Sequence, residues 1–187
     1  IEHKLGYNVM IDFLLKKREG IKNNLPIVGP VNENYWAFGD SYNKGAWVLH
    51  TLRNMIDNDD LWFSILKNFA IDNAKGHVST ETFLNYIIRA TGENYQLVFY
   101  QYFYDHRPPT FEYYQEGEKF YFRWSNVVSG FAMPLDIDLN GVEKRLHVTK
   151  ELSTLDISEY SVIHIRDWES LVITKRNPDL KDIDQLN

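Results

Sequence analysis

The 187 residues contain no cysteine, which excludes a disulfide framework and any thiolate metal site. Exported proteins also do without cysteine, so the compartment stays open. No apolar run approaches the roughly 20 residues that span a bilayer, and Ile1-Glu2-His3-Lys4 lacks the pattern of a signal peptide. A basic stripe is missing too: 20 Lys and Arg stand against 26 Asp and Glu, a net charge of -6. Residues 108–187 hold most of that imbalance, with 9 basic and 14 acidic side chains. Without clustered cations to displace counterions from phosphates, nucleic acid is not an expected partner.

Several catalytic signatures are absent as well. A helical zinc peptidase site needs two histidines at i and i+4 with a glutamate between them. None of His3, His50, His77, His106, His147 and His164 has such a partner. His147 and His164 could share a metal only if their strands were neighbours, and exposed or hydrogen-bonded strand histidines are the simpler reading. There is no G-x-S-x-G elbow and no glycine-rich phosphate loop. The carboxylate pairs Asp59-Asp60 and Asp136 with Asp138 read as a helix start and a solvated strand face rather than an acid-base or calcium site.

What is present is a chain that is 44% hydrophobic and 15% aromatic, enough to bury a sizeable core. Apolar spacing predicts a helix over Asn8 to Lys22, then an extended loop from Asn23 to Gly39 that contains Pro26, Gly29 and Pro30. A second helix starts at Asp40 or Ser41 as N-cap, a third covers Asp59 to Asn73, a fourth is capped by Ser79 and ends at Gly92, and a fifth spans Tyr95 to Asp105. After Pro108-Pro109 the period changes to two. Phe111 to Trp124 forms one hairpin around Gly117, and Leu135 to Val148 a second around Asn140-Gly141, the residues a type I′ turn demands. Two further strands are expected over Tyr160 to Arg166 and Trp168 to Lys175. The reading is a helical domain over 1–107 and a small antiparallel β-sandwich over 108–187 with a polar, fraying tail from Asn177. A start without methionine, in what reads as mid-helix, gives the expectation of a piece of a longer chain.

The segment Tyr42-Asn43-Lys44-Gly45-Ala46, followed by Val48-Leu49-His50-Thr51-Leu52-Arg53, is distinctive. By spacing alone, Tyr42 is an ordinary half-buried tyrosine. The segment nevertheless resembles the Y-x-K-G-A-x-v-L-x-x-L-r block of the aminopeptidase-N-like zinc peptidases, the gluzincin type. Ile1 to Tyr7 resembles the stretch after that family's zinc-binding glutamate, and Pro26-Ile27-Val28 the approach to its tyrosine. Thr82-Phe83, Thr91 to Asn94 and Phe99 to Phe103 are similar to its closing helices, and Pro109 to Tyr113 to the start of its β-sandwich. The similarity covers residues 1 to about 115.

That resemblance implies the helical C-terminal half of a thermolysin-like catalytic domain, followed by the sandwich. It implies an aminopeptidase fragment whose full-length parent uses zinc to hydrolyse amino-terminal residues from peptides. Tyr42 would donate to the oxyanion, while the zinc ligands would precede Ile1, leaving this chain with no metal and no activity of its own. Glu2 aligns beyond the third-ligand position and reads as helix surface. Lys44 and Gly45 carry no chemical step in this reading; the lysine anchors a local loop and the glycine permits close helix packing. Asp40 reads as an N-cap rather than a catalytic acid. Exposed apolar surface on the helical half gives an expectation of self-association. The alternatives are a noncatalytic scaffold, or a β domain that binds carbohydrate or protein through Tyr113, Tyr114, Tyr121 and Trp124.

Overall fold

The computed structural model describes residues 1–30, 32–33 and 40–184. The first helical stretch divides at Gly6, whose φ of 89° is a conformation that side chains disfavour. It gives α1 (Glu2–Leu5) and α2 (Tyr7–Arg18) instead of the single helix expected over Asn8 to Lys22. α2 buries Ile11 and Leu14 and leaves Val9 and Phe13 exposed. Within the expected loop, the Val28 N–H donates to the Phe103 carbonyl at 3.0 Å. Residues 31 and 34–39 of that loop lie outside the described residues.

Three helices follow close to their expected positions: α3 (Asp40–Ile56), α4 (Asp59–Asp72) and α5 (Thr80–Thr91). Their ends follow cap chemistry. The Asn58 side chain accepts from the Leu61 N–H at 2.9 Å, Ser79 and Thr82 form a reciprocal box, and Gly92 closes α5 in the left-handed conformation. The expected fifth helix is a short α6 (Gln96–Phe99) that widens into a π-helical turn, Tyr100–Tyr104. Gln101 ties this turn to the strands. Its amide nitrogen donates to the Arg107 carbonyl at 2.7 Å and its oxygen accepts from the Val128 N–H at 2.8 Å.

Both expected hairpins are present, as β1 (Thr110–Glu116) with β2 (Lys119–Ser125), and β3 (Ala132–Leu139) with β4 (Val142–Thr149). Asn140 and Gly141 both have positive φ, 52° and 86°, as a type I′ turn requires. Beyond them the match loosens. β5 (Ser153–Asp156) is not among the expected strands, and β6 (Ile163–Ile165) and β7 (Ile173–Arg176) are shorter than the runs expected. The tail is also more ordered than expected: α7 (Leu180–Asp184) buries Leu180, and Lys181 pairs with Glu116 at 2.8 Å.

The described strands form two small sheets, in the orders β5-β2-β1-β7 and β4-β3-β6. β7 runs parallel to β1, which corrects the expected all-antiparallel sandwich. The architecture is mixed α and β, seven helices with two small sheets among the described residues. The narrower expectation of a thermolysin-like half-domain does not hold. One hydrophobic cluster includes Leu14, Trp47 and Leu52 from the helices and Phe111, Trp124 and Val172 from the strands and their connections, crossing the expected division at Arg107-Pro108. On the other face of β1, buried Glu112 lies opposite Arg123 and Lys175 in register and bonds both, at 2.9 and 3.2 Å. Burial pushes its carboxyl up, but these bonds outweigh it and hold the group below its ordinary value.

β6 lies in one sheet and β7 in the other, and the crossover between them, segment 166–172, is laid on the helices. Its Arg166 N–H donates to the Asp136 carbonyl of β3 at 3.0 Å, and its carbonyls are met mainly by side chains. Arg18 donates to the carbonyls of Asp167 (3.0 Å) and Val172. His50 Nε2 lies 3.2 Å from the Trp168 carbonyl, and Asn54 donates to Glu169 O at 2.6 Å. Tyr102 donates to Leu171 O at 3.0 Å, while Thr51 Oγ1 accepts from the Leu171 N–H at 2.9 Å. A carbonyl facing Nε2 sets the His50 tautomer, with the proton on that nitrogen.

Two outcomes follow from this docking. Thr51 is fully buried, so Thr51→Val keeps the shape but strands the Leu171 N–H, and urea denaturation is expected to register a loss of about 1–3 kcal/mol. Burial also holds the His50 imidazole below its ordinary 6.5, against the hydrogen bond to Trp168 that favours the charged form. The unfolded chain therefore takes up this proton first, and stability falls as the pH drops below about 6.5. In His50→Gln that part of the pH profile, followed by thermal unfolding, is expected to flatten.

Candidate functional site

α3 opens with Asp40, which is 2% exposed. Its two carboxylate oxygens accept from the backbone N–H groups of Lys22 and Asn23, at 3.0 and 2.8 Å. Asp40 is therefore neither the expected N-cap nor a free acid. It is a clamp that fixes the chain leaving α2 against the first turn of α3. One turn on, Lys44 is completely buried, with its ammonium 3.0 Å from the His106 carbonyl and 3.5 Å from that of Asp105. The anchor it makes reaches 62 residues along the chain rather than into its own loop. Burial lowers its pKa, while Asp40 and Asp105 pull the other way.

Tyr42 stands between these two tethers and is 76% exposed. Trp47 below it is fully buried and donates its indole N–H to Leu14 O at 2.8 Å. The phenol thus projects from a turn whose floor is fixed by three separate attachments. A phenol hydroxyl offers one hydrogen-bond donor. Gly45 does not have the role expected of it. Among the described residues, a Cβ there would meet no heavy atom within 4 Å, so close packing against them is not its reason.

The remaining sequence candidates disperse. His147 and His164 lie on β4 and β6, on opposite sides of β3 and opposite Pro134 and Asp138 respectively. Glu2 is not plain helix surface; it receives both terminal nitrogens of Arg53 at 2.5 and 2.9 Å. Asp59 takes the other side of the same guanidinium at 2.7 Å. Asp136, expected on a solvated face, is buried and bonds Arg145 at 2.9 and 2.7 Å. No group of three histidine, cysteine or carboxylate side chains placed to hold a metal ion occurs among the described residues. The residues present do not fit a zinc ion.

The aromatic platform is also overturned. Trp124 is fully buried with its indole donating to Met133 O at 2.9 Å, and Tyr121 is 6% exposed. Tyr113 packs with Phe111 and Phe120 on one face of the sheet, whereas Tyr114 lies on the other under Arg176 and Lys181. The four rings divide between the two faces of the sheet, Tyr113 and Trp124 on one and Tyr114 and Tyr121 on the other.

No family model and no curated protein matches the chain. Among solved structures, the crystal structure of Legionella pneumophila aminopeptidase A in complex with aspartic acid is similar, with a TM-score of 0.62 and 17% identity. The likeness is one of fold. It covers 83% of this chain but only 21% of that one. Membership of the aminopeptidase-N-like gluzincin family, expected from residues 1 to about 115, is corrected accordingly: the named neighbour is an aminopeptidase A, at an identity that carries fold alone. Lys44, one of the residues behind that expectation, has a structural duty as a tether that explains it without kinship.

Because the space beside Gly45 is open and the position is helical, Gly45→Ala is expected to raise stability by about 1 kcal/mol in urea denaturation. A loss instead would show that something in solution approaches this face closely.

Proposed function

We propose that the chain contributes to an aminopeptidase, with Tyr42 supplying a hydrogen-bond donor to the oxyanion of a peptide carbonyl under attack. The observation that carries this reading is the exposed phenol held on a rigid turn, within a fold similar to part of an aminopeptidase. The zinc-dependent form of the reading places every metal ligand outside this chain, since the described residues do not fit the ion. The work of this chain is then to position one hydroxyl. Asp40 ties the helix start to residues 22 and 23 and Lys44 ties it to residues 105 and 106, so the donor needs little reorganisation as charge develops.

A second reading, a noncatalytic binding module, draws on an open groove of about 680 Å³ lined by Tyr113, Phe120, His164, Asp167 and Arg176. It gives Tyr42 no role, and the two readings part there. Tyr42→Phe removes only the donor. In the intact enzyme it is expected to lower kcat roughly 100- to 1000-fold, the effect of losing one oxyanion donor, with peptide KM and metal content little changed. Near-normal kcat would remove Tyr42 from the mechanism and favour the binding module.

A further inference from the structure

β6 ends the smaller sheet, β4-β3-β6, which has three strands against the four of the larger one. In an antiparallel ladder the N–H and C=O groups of successive residues point alternately to one side of the strand and the other. The Val162 carbonyl accepts from the Asn140 N–H at 3.1 Å, the Arg166 N–H donates to the Asp136 carbonyl at 3.0 Å, and His164 lies opposite Asp138 between them. Residues 162, 164 and 166 therefore turn their backbone groups to β3. Those of Ile163 and Ile165 point the other way, and among the described residues nothing hydrogen-bonds to them. Such an edge is a template for another strand.

The open groove of about 680 Å³ runs along this edge. Three consecutive residues of β6, Ile163, His164 and Ile165, line it, whereas a cavity over one face of a strand would touch alternate residues. Tyr113, Phe120 and Thr174 of the larger sheet form its other wall. Ile163, Ile165 and Tyr113 all pack against the hydrophobic cluster, so a strand laid beside β6 would turn every second side chain onto Tyr113 and Phe120 and the others to solvent. Charge narrows the occupant. Arg176 holds its guanidinium 4.8 Å from the Tyr114 ring, on the other face of the sheet. The Asp167 side chain is 41% exposed, with the Arg18 guanidinium 4.0 Å away, and residues 108–187 carry 14 acidic against 9 basic side chains. That field favours a cationic chain.

We propose that the groove takes an extended peptide segment of another protein as a fourth strand of the smaller sheet, bonded through its backbone to Ile163 and Ile165. Its alternate apolar side chains face Tyr113 and Phe120, and basic ones face solvent. Main-chain hydrogen bonds then supply affinity, and the wall of the larger sheet supplies selectivity. The inference rests on the groove of the binding-module reading and gives it a ligand; the role of Tyr42 is independent of it.

The test is amide hydrogen exchange, followed by NMR on the 187-residue chain, with and without the pentapeptide acetyl-Lys-Val-Lys-Val-Lys-amide. Exchange of the Ile163 and Ile165 N–H groups is expected to slow at least about tenfold at saturation, while that of His164, already turned to β3, changes little. Titration calorimetry should show one-to-one binding, at least about tenfold weaker for the same peptide with its backbone nitrogens methylated, which keeps every side chain and charge but loses the ladder. Ile165→Pro removes one outward N–H and leaves the bonds to β3 in place, as proline permits on an edge strand; binding about three- to tenfold weaker is expected. Equal affinity for the methylated peptide, no saturation at about 1 mM peptide, or protection of Thr174 and Arg176 on β7 in place of Ile163 and Ile165 would overturn the proposal. So would protection that rises with protein concentration in the absence of peptide, which would make a second copy the occupant. If circular dichroism shows Ile165→Pro unfolded, the methylated peptide decides, because that comparison needs no variant.

Discussion

The rest of the structure depends on how segment 166–172 satisfies its backbone. A buried carbonyl without a partner costs more than a typical hydrogen bond contributes, and beyond the Arg166 N–H, which meets the Asp136 carbonyl of β3, this segment pairs with no strand among the described residues. Arg18, His50, Thr51, Asn54 and Tyr102 take that place. They come from α2, α3 and the π-helical turn, so the helices hold the crossover and the crossover places β7 parallel to β1. Helices and sheets therefore form one packed unit around a shared hydrophobic cluster.

The same device recurs near Tyr42. Asp40 holds backbone N–H groups from the end of α2, Lys44 holds carbonyls ahead of β1, and Gln101 bridges the π-helical turn to Arg107 and Val128. Asp40, Lys44, His50, Thr51 and Gln101 are buried polar side chains occupied with distant backbone. Tyr42, in the first turn of α3, is exposed. Arg53, Arg145 and Arg166 apply the same logic with charge, each drawing carboxylates from two elements together.

Some of this was legible beforehand. The Asn140-Gly141 turn sets the β3–β4 register, and counting back from it pairs Asp136 with Arg145 directly across the strands, although strand alternation alone reads Asp136 as solvated. His50, Thr51 and Asn54 share one helical face, but a face of polar residues gives no apolar periodicity to read. Arg166 pairs with Glu169 three residues on and with Glu143 on β4, and only the latter pairing needs the fold.

The sequence by itself determined the local structure: where α3, α4 and α5 run, the Ser79 and Gly92 caps of α5, both hairpins and the type I′ turn. Each rests on interactions within a few residues, which composition and spacing encode directly. Only the tertiary structure decided the parallel β7, the docking of 166–172, and the tethers at Asp40 and Lys44. Those depend on which buried polar group meets which distant backbone or charge, and no local pattern specifies that choice.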